Sequence, residues 1–258
     1  MRAARRRGLS RQRAPSFWKY LDAYLARSFS SGMRARIMRH HYRVLDQQVA
    51  PHMRQAWQSG CPCWSSVGAS GRAYRMTVGE ARRAPMEGEA EIALWIDDDL
   101  LTTVTFAIAP ASMFGLDGAH AMLVGGMQGM IGRREDNRTA ARDHHEVAPM
   151  ALLLLAGRTL ARALGLSWIV GVPSSDQIEL ALRPGEHAGY DRFWRDAGAA
   201  EVPGGLFALE VTGRGDRSLA HLSPSHRARA RRKAAYKKEL QLALTGEMHG
   251  MLVPAAIA

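Results

Sequence analysis

Four consecutive titratable residues, Asp143-His144-His145-Glu146, stand just before an apolar run that opens at Pro149. A histidine so placed can serve as a general base, taking a proton from an amine or hydroxyl while a neighbouring carboxylate orients its ring. His145 is the candidate base and Glu146 the candidate orienting acid. Proline suits the first turn of a helix because its missing N–H would be unpaired there anyway. The N–H groups behind it are placed to receive a phosphate or a developing oxyanion. The plainer alternative is a hydrated loop holding a satisfied histidine.

A second stretch, LVGGMQG over residues 123–129, crowds Gly125, Gly126 and Gly129 around Gln128. It lacks the glycine-lysine-serine/threonine ending of a Walker loop and the G-x-G-x-x-G spacing of a dinucleotide fingerprint, so neither phosphate motif is present. Glycine permits close backbone approach, which a strand end needs where something docks or the chain turns sharply. The expectation is a ligand groove lined by the three glycines, with Gln128 as its polar group. Ser174 follows a continuously apolar segment and is expected to line the same groove. Cys61 and Cys63 are the only cysteines, and one proline separates them. They form no disulfide framework and match no standard zinc spacing, so a reducing compartment and no metal are expected.

These residues need elements to hold them. Residues 16–58 have helical periodicity, with Phe17, Leu21, Tyr24 and Leu25 on one face and Ile37, His41, Val44, Leu45 and Val49 on another. Residues 59–76 are rich in Gly, Ser and Pro and read as a junction. The period then changes to two: Ile92, Leu94 and Ile96 alternate with Ala93 and Trp95, and Val104, Phe106 and Ile108 with Thr103, Thr105 and Ala107, around Asp97-Asp98-Asp99. Aspartate favours turns, so a hairpin explains the triple acid better than a metal does. AHAMLVGG is a third strand, MALLLLAGRTLARALG a helix, SWIVGV a buried strand, YDRFWRDAG a short helix and GLFALEV a last strand. Residues 225–244 form a helix whose apolar stripe is Tyr236, Leu240 and Leu244. Strands alternating with helices after a hairpin predict an α/β (α+β) fold with a mixed central sheet, N-terminal helices and a C-terminal basic helix. The expected organisation is a basic tail (1–15), a helical region (16–60), an α/β domain (61–215) and a basic helix with its tail (216–258).

The 258-residue chain is ordinary in hydrophobic (47%) and charged (23%) content but carries a net charge of +11. Six arginines fall within residues 1–13 and seven basic residues within 227–238, with no acid in either segment. Without those thirteen, 22 basic side chains face 24 acidic ones, so the body is nearly neutral. Basic ends without aromatic interleaving suit an anionic membrane surface, an acidic carrier protein or non-specific nucleic acid. Specific nucleic-acid recognition is not expected. With no signal-peptide core and no apolar run near the ~20 residues that cross a bilayer, a cytoplasmic protein is expected, with peripheral contact at the inner membrane.

In this order, GGMQG, a charged loop ending at His145, Pro149-Met150-x-Leu152-Leu153-Leu154, SWIVGV, YDRFWRDAG and RARARRKAAYKKEL resemble the VirK/YbjX family. These are bacterial proteins linked to virulence and to cell-surface or peptide-resistance phenotypes, with no settled reaction. Ala148 and Met150 stand where members commonly carry basic residues, which puts an anion contact there in doubt. The order of elements also resembles the GNAT acyltransferases. That resemblance implies a thioester donor, coenzyme A or an acyl carrier protein, and a small amine, peptide or envelope component as acceptor. It also implies a tyrosine acid at Tyr190. Ile131 stands where the GNAT loop has glycine, which weakens the coenzyme expectation. The contrasting expectation is a non-catalytic factor that engages membrane or nucleic acid through its basic ends.

Overall fold

The described residues are organised around a sheet of eight strands whose central members are buried on both faces. The coordinates are a computed structural model and describe residue 19 and residues 21–178, 189–213 and 224–253. The strands are β1 (Cys61–Val67), β2 (Ala73–Glu80), β3 (Ala90–Ile96), β4 (Asp99–Pro110), β5 (His120–Gly129), β6 (Trp168–Gly171), β7 (Ala200–Val202) and β8 (Leu206–Glu210), in spatial order β1-β2-β3-β4-β5-β6-β8-β7. Neighbours are antiparallel except β5 and β6, which are parallel. A parallel pair needs a crossover. Here it is made by α3 (Arg134–Asp143) and α4 (Pro149–Ala163). The expected mixed α/β sheet is therefore the fold.

Successive side chains of a strand point to opposite faces, and β5 shows how the two faces are used. Met122 and Val124 join Ile92, Phe106, Ile169 and Leu160 in a core beneath α4 and α6 (Pro224–Gly250). Ala121 and Leu123 join Ile37, Met38 and Phe114 beneath α1 (Ser31–Gln48). We call these the α4 face and the α1 face. On α6, Leu240, Leu244 and Met248 recur every fourth residue and are all buried. Each contributes about 1.5–3 kcal/mol by leaving water. Two further helices, α2 (Arg54–Ser59) and α5 (Tyr190–Asp196), complete the described regular elements outside short 3-10 turns.

Three expectations change. Residues 21–30 are not helical: Leu25 adopts a left-handed φ of 65° and its N–H donates to Met86 O at 2.8 Å. Tyr24, Leu25 and Ala26 are wedged, fully buried, onto the α1 face, and that packing overrides their helical spacing. The helix begins only at Ser31, where the Ser30 hydroxyl accepts from Met33 N. Phe17 lies outside the described residues, as does the basic tail of residues 1–15. The expected junction of residues 59–76 is instead the β1–β2 hairpin, with Cys61 and Cys63 buried on either side of exposed Pro62. Finally, the strand carrying GGMQG does not stop at its first glycines but runs through Gly129.

Candidate active site

The register of β4 and β5 steps from Phe106↔Val124 to Thr105↔Gly126, so Gly125 is the extra residue of a β-bulge. Bulges bend a strand and re-aim its side chains, and they are frequent beside functional sites. The last β5–β6 pair is Val124↔Gly171, capped by Val172 N donating to Val124 O at 3.1 Å. Beyond it β5 continues for five residues without β6. The parallel pair of the described sheet thus comes apart at the bulge.

Gly125 and Gly126 are not open there. The connection from β2 to β3, residues 81–89, folds over the α1 face at this point. A Cβ on Gly125 would collide with the carbonyl oxygen of Glu87, and one on Gly126 would collide with its carboxylate. Gly88 presses on the backbone of Phe106, and Met86 O holds Leu25, which fixes the connection from both sides. Glu87 is 1% exposed. A carboxylate so buried needs hydrogen-bond partners, and Gln128 Nε2 donates to its Oε2 at 2.9 Å. Met127 packs on the α4 core, so Gln128 projects to the α1 face where Glu87 lies. Gly129 meets nothing within 4 Å of an added Cβ.

On the far side of the gap Tyr190 opens α5, and Trp194 stacks edge-on to it with ring centroids 6.3 Å apart. Trp194 lies directly over Gly171, leaving no room there for a side chain. Burial, with the charges of Glu87 and Asp191 nearby, pushes the Tyr190 hydroxyl above its ordinary pKa and keeps it protonated. Ser174 spends both polar groups on Asp191: its N–H donates to Oδ1 at 2.8 Å and its hydroxyl to Oδ2 at 3.0 Å. It ties the exit of β6 to α5. Gln128, Gly125 and Gly126 therefore meet at Glu87, Tyr190 lies near enough to feel its charge, and Ser174 buttresses the helix that carries Tyr190.

His145 and Glu146 lie elsewhere. They form the α3–α4 corner with left-handed φ values of 53° and 65°. His145 is exposed with its ring 5.0 Å from Tyr236 of α6, and Glu146 pairs with Arg229 at 2.8 Å. The buried histidine is His144. Its Nδ1 meets the Tyr236 hydroxyl at 2.8 Å, and its ring packs on Tyr74 and Trp64 of the α4 face. Burial lowers its pKa to about 4 against the opposing pull of Asp143. Asp143 accepts from Tyr74 Oη at 2.7 Å and from Ser70, so this cluster fastens α3 to the β1–β2 hairpin. It sits on the face opposite Gln128. The α4 N-terminus has no side-chain cap.

Sequence reasoning missed Glu87. The available signal is Glu87-x-Glu89-x-Glu91 leading into β3, with Gly88 and Ala90 between them. Such alternation normally marks a solvated strand face. Here all three glutamates are buried, and each has been given a partner: Glu89 by Lys19 and Tyr42, Glu91 by Arg83. Among the described residues no three of His, Cys, Asp and Glu gather as a metal site requires. Burial pushes the Cys63 thiol up to about 12.

A bulged strand, a parallel pair that separates, and a buried carboxylate–amide pair at the separation mark a candidate site in a mixed α/β protein. The chain belongs to the family described as "Protein of unknown function (DUF535)", whose model it matches over residues 2–245. Among solved structures it is similar to two mutant forms of a cAMP-binding acyltransferase from Mycobacterium smegmatis. Identities are 11% and 10% and TM-scores 0.35 and 0.33, with 83% of this chain and 62% of each acyltransferase chain covered. The chain thus spans less than two thirds of those proteins. No curated protein matches it.

Proposed function

We propose that the protein is an acyl- or aminoacyl-transferase in which Glu87 acts as general base. The single observation that carries this reading is the Glu87 carboxylate, buried at the β5 bulge and held by Gln128 Nε2 at 2.9 Å. A buried carboxylate beside a strand separation has the chemistry to take a proton from an attacking amine or hydroxyl. In the proposed step the nucleophile's N–C or O–C bond forms at a thioester carbonyl and the C–S bond breaks. Glu87 takes the nucleophile's proton and passes it to the leaving thiolate, while Tyr190, which burial keeps protonated, serves as a hydrogen-bond donor. Gln128 orients the carboxylate, and the glycines let the bulge close on it.

The donor in this reading is coenzyme A or an acyl carrier protein, and the acceptor a small amine, a peptide or an envelope component, as the resemblance to GNAT acyltransferases implies. A cytoplasmic site of action with peripheral contact at the inner membrane accords with this acceptor class. No described helix is long and apolar enough to cross a membrane. The test is release of free thiol from acyl-coenzyme A or acyl carrier protein by the purified chain with amine and peptide acceptors, compared with Glu87→Gln.

One observation favours a second, compatible role. The basic residues 227–238 of α6 are exposed or half-exposed around the helix rather than along one face. The apolar stripe of α6 lies beyond this basic half and is buried against the α4 face, so none is left to insert into lipid, and the proposed partner is an acidic protein surface, such as a carrier protein, rather than the bilayer interior.

A further inference from the structure

Three buried donors surround the gap between β5 and β6 without hydrogen-bond partners: Tyr190 Oη, Trp194 Nε1 and Gln177 Nε2. Tyr190 is 9% exposed, Trp194 0% and Gln177 2%, so water outside the protein does not serve them. An indole N–H and an amide NH2 can only donate. The phenolic oxygen is close enough to both to feel them, yet neither reaches it with hydrogen-bond geometry. Even if both did, the phenol's own proton would still need an acceptor. The cluster has more donors than acceptors. An unpaired buried donor costs about 1–3 kcal/mol, and three in one place are exceptional in a native protein.

The place is fixed by backbone register. Trp194 Nε1 lies over Gly171, where an added Cβ would come within 2.6 Å of it. Gly171 pairs with Val124, and the next residues of β5 are Gly125 and Gly126, against which Glu87 packs from the other face. Donors on one side and the carboxylate on the other thus flank the point where the strands part. The site is donor-rich but lies beside a carboxylate, which disfavours an anion and favours a neutral oxygen.

We propose that this cluster is the receptor for a neutral carbonyl oxygen, which it holds from one side while Glu87 faces the carbonyl carbon's attacker from the other. The assignment rests on the transferase reading for the identity of the carbonyl, that of an acyl thioester. As charge develops on that oxygen, preorganised N–H and O–H donors stabilise it more than water can. Tyr190, Trp194 and Gln177 would then contact the reacting group itself.

The test follows the Trp194 indole N–H by 1H–15N NMR in the full chain, with Trp194→Phe used only to assign the resonance. Acetyl-coenzyme A is compared with S-ethyl-coenzyme A, the thioether that lacks the carbonyl oxygen. The expected result is a downfield shift of the Trp194 N–H with the thioester alone. In addition, the thioester should bind about tenfold more tightly than the thioether, an advantage that Gln177→Leu reduces to near unity. Equal binding of the two ligands in the unaltered chain, or a bound thioester that leaves the Trp194 N–H unmoved, overturns the assignment. If neither coenzyme ligand binds, the coenzyme form of the transferase reading fails by itself. The receptor is then decided with S-ethyl thioacetate against diethyl sulfide: a shift with the thioester only supports it, and no shift overturns it.

Discussion

Gln128 Nε2 meets Glu87 Oε2 at 2.9 Å across 41 residues of sequence, joining the bulge of β5 to the connection between β2 and β3. Each partner accounts for the other. Glu87 can be buried because an amide donor faces it, and Gln128 projects to the α1 face because the extra residue at Gly125 resets the alternation of its strand. The consequences can be measured.

Gly126 and Gly129 should respond oppositely to alanine. A Cβ at Gly126 occupies the space of the Glu87 carboxylate, whereas at Gly129 it meets nothing within 4 Å. Overpacking of this kind costs about 1–3 kcal/mol or more, while an unobstructed substitution stays within about 0.5 kcal/mol. Urea midpoints of Gly126→Ala and Gly129→Ala should therefore separate clearly, with only the first variant also losing activity.

Removing Gln128 should destabilise the fold more than its polarity alone suggests. Gln128→Leu keeps most of the volume but deprives a buried carboxylate of a donor, at a cost of about 1–3 kcal/mol. Adding Glu87→Gln to it should recover part of that loss, because the buried charge is then gone. A double-mutant cycle by chemical denaturation measures the coupling.

Two buried histidines predict loss of stability in mild acid. Burial lowers the pKa of His41 to about 3, with Lys19 and His40 adding to the effect, and that of His144 to about 4. Both remain neutral in the fold, and Nε2 of each is unpartnered. As pH falls below about 6.5 the unfolded chain gains protons that the folded chain does not, so stability declines. The decline continues until the folded pKa is reached, by up to about 1.4 kcal/mol per pH unit per histidine. His41→Gln and His144→Gln should each flatten the dependence of the urea midpoint between pH 6.5 and 5. An unchanged slope in both would show that other groups set it.

The basic half of α6 should act through long-range charge. Arg227, Arg231, Arg232, Lys233 and Lys238 are exposed or half-exposed, so changing all five to glutamine should leave the thermal midpoint nearly unchanged. Binding to an acidic carrier protein should weaken, and its dependence on salt should become shallower. If the quintuple variant binds as tightly as the parent at every salt concentration, the basic helix is not the docking surface.

The sequence made some of this legible and hid the rest for physical reasons. The β3–β4 hairpin, α4 and α5 are legible because the spacing of their large apolar residues is that of the elements they form, and Ile92, Leu94 and Ile96 are each fully buried. Residues 21–30 misled because helical spacing of Leu21, Tyr24 and Leu25 cannot reveal that tertiary contacts pull Leu25 into a left-handed conformation. The β1–β2 hairpin was obscured by its Gly, Ser and Pro content. At the site, the glycines of β5 admit a close approach, but what approaches Gly125 and Gly126 is Glu87 of the same chain rather than a ligand in an open groove. Glu87 was hidden because an alternating run of glutamates ordinarily faces water. His145 has the neighbours of a general base in sequence, yet His144 is the histidine that the fold encloses.

Catalysis by the Glu87 carboxylate is tested most directly by comparing acyl-thioester turnover in Glu87→Gln and His145→Ala with the unaltered chain. Loss of a general base lowers kcat by about 10²–10⁴-fold. The expected outcome is a loss of that size in Glu87→Gln with its thermal midpoint largely kept, and a rate near that of the parent in His145→Ala. Full turnover in Glu87→Gln, or a collapse confined to His145→Ala, would contradict it.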